Sequence, residues 1–340
     1  MHYTQRLQAL VQLGEFIESN FQNEDFQQAI RLAYQKNKWF EPKWVEKSLR
    51  AIAQNYLAEE KLQDWAKAYG LEDEQTLTVL LVLAGNIPLV GFHDLLCTFL
   101  SGHHAKIKYS SKDEVLIPFL IQQWTKLHPE VNSYFSKHQL PDKDWDAVIA
   151  TGSNNTARYF EYYFGQKPHI FRKHRNTVAV LDGSESMESL QELGHDVFDY
   201  YGLGCRNVAK IYCPKDYDFK PLFEAWEVFK HYSDHDKYRN NYDYYKSIFL
   251  VNRENHLDNG FILLKEAPQM ATPVGVLHYE TYQNKADLTQ KLKQEREKIQ
   301  CVVGKEVDFG EAQWPQLADY ADGVDTMKVL KTWAEEKDAK

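Results

Sequence analysis

TVLLVLAGNIPL, residues 78–89, is the stretch on which the fold turns. From Thr78 to Leu83 it is an unbroken β-rich apolar run, and AGNIP then stops it with glycine, asparagine and proline. A half-buried strand alternates polar with apolar residues. A continuous apolar run instead suits a strand covered on both faces of a parallel sheet. The wider apolar stretch, residues 77–92, is interrupted by Gly85, Asn86 and Pro88 and is too short to span a bilayer.

Working outward, the spacing predicts a helix over 92–100, a short strand and turn in AKIKYSS (105–111), a helix over 114–126 and a third strand in WDAVIA (145–150). TGSNN and a helical ARYFEYYF follow. Strand alternating with helix predicts an α/β fold with a parallel sheet. Upstream, Leu7, Leu10, Val11, Leu13 and Phe16 recur at helical spacing, as do Ala29, Leu32 and Ala33, so residues 1–75 read as a helical N-terminal segment. Beyond residue 175, strands are expected at 177–181, 207–212, 248–252, 260–265 and 273–280. Helices are expected over 187–201, 221–232 and 288–299.

The chain has 340 residues, which suggests two domains. With 43% hydrophobic and 26% charged residues, the composition is that of a globular chain rather than a disordered one. A net charge of −9 disfavours nucleic acid and anionic membrane as partners. The four cysteines, Cys97, Cys205, Cys213 and Cys301, form no Cys-x-x-Cys pair and no disulfide framework. The start carries no apolar run of signal-peptide length, so the expected location is the reducing cytoplasm.

Four segments could carry chemistry. Cys205 follows Gly-x-Gly in YYGLGCRN, between a predicted helix and strand, where backbone can approach a substrate closely. By spacing alone it is either a nucleophile with Arg206 as its neighbour or a buried, inert thiol. Gly152 and Ser153 sit in ATGSNN between a strand and a helix, where backbone N–H groups can hold a phosphate or merely begin a capped helix. Asn86 in GNIPL offers an amide donor at a strand end, to an oxyanion or to a plain turn. Lys108 and Ser111 in KIKYSSK could meet a ribose or phosphate, or simply face solvent. As a rival, His231 and His235 lie four apart, the spacing of two metal ligands on one helix face, although no third ligand is evident.

Taken in chain order, these segments resemble the aldehyde dehydrogenase superfamily, and more closely its acyl-CoA reductase branch, which includes the bioluminescence fatty acyl reductase. GNIPL resembles the Asn-Phe-Pro-Leu stretch that supplies the oxyanion donor, here Asn86. KIKYSS resembles the Lys-Pro-Ser-Glu motif at the adenosine ribose, here Lys108 and Ser111. ATGSNN resembles the phosphate turn, here Gly152 and Ser153, and GLGCRN the segment of the nucleophile, here Cys205. PVGV, from Pro273, resembles the Gly-Pro-Val segment near the nicotinamide ribose, and QWPQLADYADGVDTM (313–327) resembles the acyl-CoA reductase branch. The likeness spans roughly residues 75–330.

The resemblance implies an aldehyde dehydrogenase-like α/β fold: a helical segment (1–75), a Rossmann-like cofactor domain (76–174), a catalytic thiol domain (175–330) and a C-terminal tail (331–340). The nucleophile would lie at the cleft between the two domains. It also implies NAD(P)H-dependent reduction of a fatty acyl-CoA to an aldehyde through a Cys205 thioester. Oxidising members carry a Glu-Leu-Gly-Gly base well upstream of the cysteine. Here that region reads HIFRKHRNTVAVLDG, without a glutamate, and Glu192-Leu193-Gly194 lies inside a predicted helix too close to Cys205. The family's glutamate near the nicotinamide ribose appears as Gln269 or is missing. Ser111 and Lys112 stand where NAD-preferring members place a glutamate, which points to NADPH, with NADH left open. A cofactor-independent cysteine acyltransferase, an aldehyde oxidiser and a non-catalytic partner of an acyl-activating enzyme remain alternatives. So do an acyl-donor enzyme and a homo-oligomer as partners.

Overall fold

The computed structural model describes residues 1–71, 76–139, 142–152, 154–173 and 175–338. The chain divides into two compact units, Met1–His174 with Pro315–Lys340, and Arg175–Trp314.

The first unit begins with helices α1 (Tyr3–Asn20), α2 (Glu24–Lys36), α3 (Pro42–Ala51) and α4 (Glu59–Lys67). Asn23 caps α2 by accepting from the Asp25 N–H, and Glu24 and Asp25 place negative charge at its positive end. Leu10, Leu13 and Ile17, at helical spacing on α1, are wholly buried. The apolar run forms β1 (Thr78–Val82), and Val79, Leu80 and Leu81 have no exposed surface, as a strand covered on both faces requires.

The chain then runs α5 (Phe92–Leu100), β2 (His104–Lys108), α6 (Leu116–Leu127), β3 (Phe135–Lys137), β4 (Ala147–Thr151), α7 (Asn154–Phe164) and β5 (His169–Arg172). The sheet order is β3-β2-β1-β4-β5, with every pair parallel. The chain leaves β1 to one side and later returns to the other, so the sheet switches direction between β1 and β4.

The second unit holds β6 (Asn176–Val180), α8 (Met187–Phe198), β7 (Val208–Pro214), α9 (Lys220–Trp226), α10 (Asp236–Val251), β8 (Leu257–Asp258), β9 (Leu263–Glu266), β10 (Val276–Tyr282), α11 (Lys285–Gln294) and β11 (Ile299–Val303). Its sheet order is β11-β6-β7-β10-β9-β8, parallel except for β8 on β9.

Several expectations need correction, among them the helix over 187–201, which ends at Phe198 because Tyr200 and Tyr201 turn left-handed. Ile248–Asn252 is not a strand: residues 248–251 end α10, because Tyr242, Tyr245 and Phe249 share one helical face against Leu263 and Val276. The segment 288–299 is not one helix: α11 stops at Gln294, and Ile299 opens β11 beside β6. The helix expected over 221–232 becomes a 3-10 segment at Glu227. Residues 315–338, read from sequence as the end of the second region and a tail, join the first unit. There Arg172 binds the Asp94 carboxylate (2.5 and 3.1 Å), Thr326 Oγ1 (2.8 Å) and the Ala321 carbonyl (2.7 Å). Met327, Leu330 and Ala334 of the C-terminal helix, Thr326–Asp338, are fully buried in the same core. No helix among the described residues is long and apolar enough to cross a membrane.

Candidate active site

In the first unit, the strands' C-terminal ends bring together segments far apart in sequence. Val82 of β1 lies level with Lys108 of β2 on one side and Ala150 of β4 on the other. The Leu83 N–H donates to the Lys108 carbonyl at 3.1 Å, prolonging that pairing. Asn86, Lys108, Ser111 and Gly152 therefore gather at the carboxyl edge of one sheet, beside its switch point, where open α/β sheets take their ligands. Ser153 lies outside the described residues.

The Asn86 turn is built by its neighbour loop. Leu89 holds φ +60°, a left-handed conformation that costs a non-glycine residue roughly 1–2 kcal/mol. Its N–H donates to Asp113 Oδ2 at 3.0 Å, and the Leu116 N–H donates to Asp113 Oδ1 at 3.2 Å. Burial pushes the Asp113 carboxyl up, while these backbone donors pull it back. Gly85 packs so tightly on the loop after β2 that an added Cβ would sit 2.6 Å from Ser110 Oγ. Asn86 itself is half-buried. Lys108 and Ser111 are exposed, whereas Lys106 is spent on Asp142 (2.6 Å) and the Asp144 carbonyl (2.7 Å). Gly152 joins β4 to α7. An exposed ammonium, an exposed hydroxyl and a strand-to-helix glycine are a donor set suited to phosphate and ribose.

In the second unit, Cys205 sits between α8 and β7 and is the only one of the four cysteines that is not buried. Burial raises the Cys97 and Cys301 thiols and pushes Cys213 up to about 12, which leaves those three poor nucleophiles. The approach to Cys205 is strained: Tyr200 (φ 52°), Tyr201 (φ 59°) and Gly202 (φ 74°) are consecutive left-handed residues. Asn207 secures this bend. Its Oδ1 accepts from the Gly204 N–H (2.8 Å), and its Nδ2 donates to the Asp199 (2.8 Å) and Asp196 (3.1 Å) carbonyls. From β6, Thr177 Oγ1 donates to the Cys205 carbonyl at 3.1 Å and lies 3.2 Å from Cys301 Sγ. Arg206 turns its Nε to the Ala312 carbonyl. Glu192 is exposed on α8, and Gln269 is exposed with its carbonyl 2.9 Å from His278 Nδ1.

Asn207, Thr177 and Asp113 escaped the sequence reading. Only Asn207 had a signal, its place two residues after the cysteine. The His231–His235 pair fails as a helical face. His231 lies in the 3-10 segment with Nδ1 2.8 Å from the Val228 carbonyl oxygen, and the chain is extended at His235. Among the described residues no cluster of His, Cys, Asp and Glu could hold a metal. A surface groove of about 470 Å³, between Tyr217, Phe219, Phe223 and Leu257, is lined by none of the candidate residues.

Residues 4–221 match the family model described as acyl-CoA reductase (LuxC). Among solved structures, the chain is similar to aldehyde dehydrogenase 21 from Physcomitrella patens in complex with the reaction product succinate (12% identity, 96% of this chain, 79% of that one, TM-score 0.63). It is similar to a mutant aldehyde dehydrogenase from Bacillus cereus (11%, 89% and 76%, TM-score 0.61). A third is the Mycobacterium tuberculosis aldehyde dehydrogenase complexed with NAD+ (14%, 86% and 71%, TM-score 0.59). Identities this low establish the fold, which is the aldehyde dehydrogenase-like α/β fold that the motifs led us to expect. No curated protein matches the chain.

Proposed function

The chain belongs to the acyl-CoA reductase (LuxC) family, and from that premise we propose that it reduces a fatty acyl-CoA to the aldehyde through an acyl-thioester on Cys205, with NADPH used at least as well as NADH. Family and fold together make it an oxidoreductase of acyl or aldehyde groups. Cys205 carries the rest, as the only cysteine of the four that is not buried, on a strained loop fixed by Asn207 and Thr177.

In the proposed reaction the Cys205 thiolate adds to the acyl carbonyl, the bond to the CoA sulfur breaks, and CoA leaves as a thiolate that takes up a proton. The Asn86 amide and the Cys205 backbone N–H stabilise the oxyanion in between. Lys108, Ser111, Gly152 and Ser153 would hold a nicotinamide cofactor, the kind of cofactor carried by the NAD+-bound neighbour of the same fold. That cofactor would supply a hydride to the thioester carbonyl carbon; breaking of the C–S bond then releases the aldehyde and returns Cys205 as a thiolate. Residues 169–183 hold no glutamate to activate water, so hydrolysis of the thioester is slow and reduction is the favoured outcome. Within the same proposal the enzyme works in the cytoplasm, on acyl-CoA supplied free or by an acyl-donor enzyme.

The test is incubation with hexadecanoyl-CoA and NADPH, following loss of reduced-cofactor absorbance together with trapped aldehyde. Cofactor consumption matched by aldehyde supports the proposal. Acyl transfer to an added thiol or alcohol with no cofactor consumed would overturn it in favour of an acyltransferase.

A further inference from the structure

The turn that carries Asn86 and the loop that carries Ser111 are tied by one side chain that belongs to neither role. Asp113 is buried, and its two carboxylate oxygens are divided. One accepts from Leu89 N–H in the Asn86 turn; the other accepts from Leu116 N–H at the start of α6. Its own N–H donates to the Ser110 carbonyl at 3.0 Å, closing the loop on which Ser111 stands. Gly85, directly before Asn86, lies against this same loop, with no room for a Cβ beside Ser110 Oγ or the Asp113 nitrogen (2.6 and 3.1 Å). Leu89 keeps its left-handed backbone across this junction, a conformation that surrounding structure must enforce. Asn86 thus has its placement set from the loop after β2 rather than by its own strand alone.

We propose that Asp113 is a positioning residue that couples the oxyanion-donor turn to the cofactor loop, so that one substitution there impairs both acylation and cofactor binding. The proposal rests on the reading of Asn86 and Ser111 given above. It predicts a joint loss from a residue that touches neither the acyl group nor the cofactor. A purely structural carboxylate would lower stability and leave the folded fraction with wild-type constants.

The experiment uses the full chain. Single-turnover acylation of Cys205 by hexadecanoyl-CoA is followed as CoA release without cofactor, NADPH affinity by fluorescence titration, and the folded fraction by thermal unfolding. In Asp113→Asn, the amide must turn an N–H2 toward one of two N–H donors, and the junction opens. Acylation should slow about 10²-fold, the scale expected for a catalytic group misplaced by ~1 Å. Hexadecanoyl-CoA affinity should hold, and NADPH should bind several-fold more weakly. Gly85→Ala pries the same junction apart without touching the carboxylate and should show the same paired loss, which keeps the test open if Asp113→Asn does not fold. Folded variants that acylate at the wild-type rate, or that lose one function and keep the other, would overturn the coupling. Asn86→Ala and Ser111→Glu serve as references. If wild type acylates and Asn86→Ala does not, while Asp113→Asn behaves as wild type, the coupling fails and the functional reading stands. If wild type itself forms no acyl-enzyme, the functional reading fails.

Discussion

The turn after β1 and the loop before β7 solve the same problem with opposite chemistry. Each holds non-glycine residues in left-handed backbone, Leu89 in the first and Tyr200 with Tyr201 in the second, and each carries a residue proposed to act on the acyl carbonyl. The Leu89 turn is held by an ionisable group, since Asp113 offers only acceptors to backbone N–H donors. The Tyr200–Gly204 bend is held by a neutral amide, which meets groups of both kinds there: the carbonyls of Asp196 and Asp199 and the N–H of Gly204. A carboxylate cannot serve both kinds, whereas an asparagine can. The type of anchor matches the backbone groups it meets.

The largest effect should come from the loop before β7. Cys205→Ala should abolish aldehyde formation and the acyl adduct seen by intact-protein mass spectrometry, with the fold kept. Wild type given acyl-CoA alone should accumulate that adduct, for want of a base to release it. Cys97→Ala, Cys213→Ala and Cys301→Ala should retain activity, since their thiols are buried and raised. Full activity in Cys205→Ala removes the basis for comparing the two bends as parts of one catalyst.

Next comes the turn after β1. Asn86→Ala should lower turnover about 10²–10³-fold, the usual loss for one oxyanion donor, and leave KM for acyl-CoA nearly unchanged. An unaltered turnover would leave Asn86 as an ordinary turn residue. Then Asn207 tests the anchors directly. Asn207→Ala removes three hydrogen bonds to the backbone of this bend and should cost about 1–3 kcal/mol in urea unfolding. Asn207→Asp points a carboxylate oxygen at two carbonyl oxygens and should cost more than the alanine. If Asp were the milder change, the assignment of mixed donors and acceptors at this bend would be wrong.

Much of the sheet was legible because TVLLV and the AVIAT of its neighbour are short, rich in β-branched residues and bounded by turn residues, the signs that mark a buried strand where periodicity cannot. Edge strands were not. Phe135–Lys137 and His169–Arg172 are too short to show a period, and Ile299–Val303 follows a charged helix with no glycine or proline to mark the break. The polar, tyrosine-rich Ser233–Lys246 reads as helix or surface loop; residues 236–246 begin α10, whose Tyr242 packs in one cluster with Leu263 and Val276, distant in sequence. The return of the C-terminal segment depends on Arg172 meeting Asp94 and Thr326, a long-range contact without a local signature. The candidate site divides the same way. Residues presented to a ligand sit in short motifs, while those that position them, Asp113 and Thr177, act across loops or strands and look like any other aspartate or threonine.

The smallest effect concerns cofactor choice, which sharpens what the first bend's anchor leaves exposed. An acidic residue near the adenosine ribose favours NADH by bonding the hydroxyls and repelling a 2′-phosphate. Here Ser111 is neutral and exposed, with Lys108 and Lys112 exposed beside it in the chain. The acidic residues that follow could reverse that field. Asp113, however, is buried with both oxygens accepting backbone N–H groups, and Glu114 lies 3.5 Å from the Lys36 ammonium. The loop therefore presents hydroxyl and ammonium groups, which suit a phosphate. Wild type should use NADPH at least as well as NADH by kcat/KM. Ser111→Glu should lower kcat/KM for NADPH about 2- to 5-fold, the range of an exposed charge contact worth up to about 1 kcal/mol, and spare NADH. A wild type that strongly prefers NADH, or a Ser111→Glu variant with unchanged NADPH use, would show that the loop after β2 does not read the 2′ position.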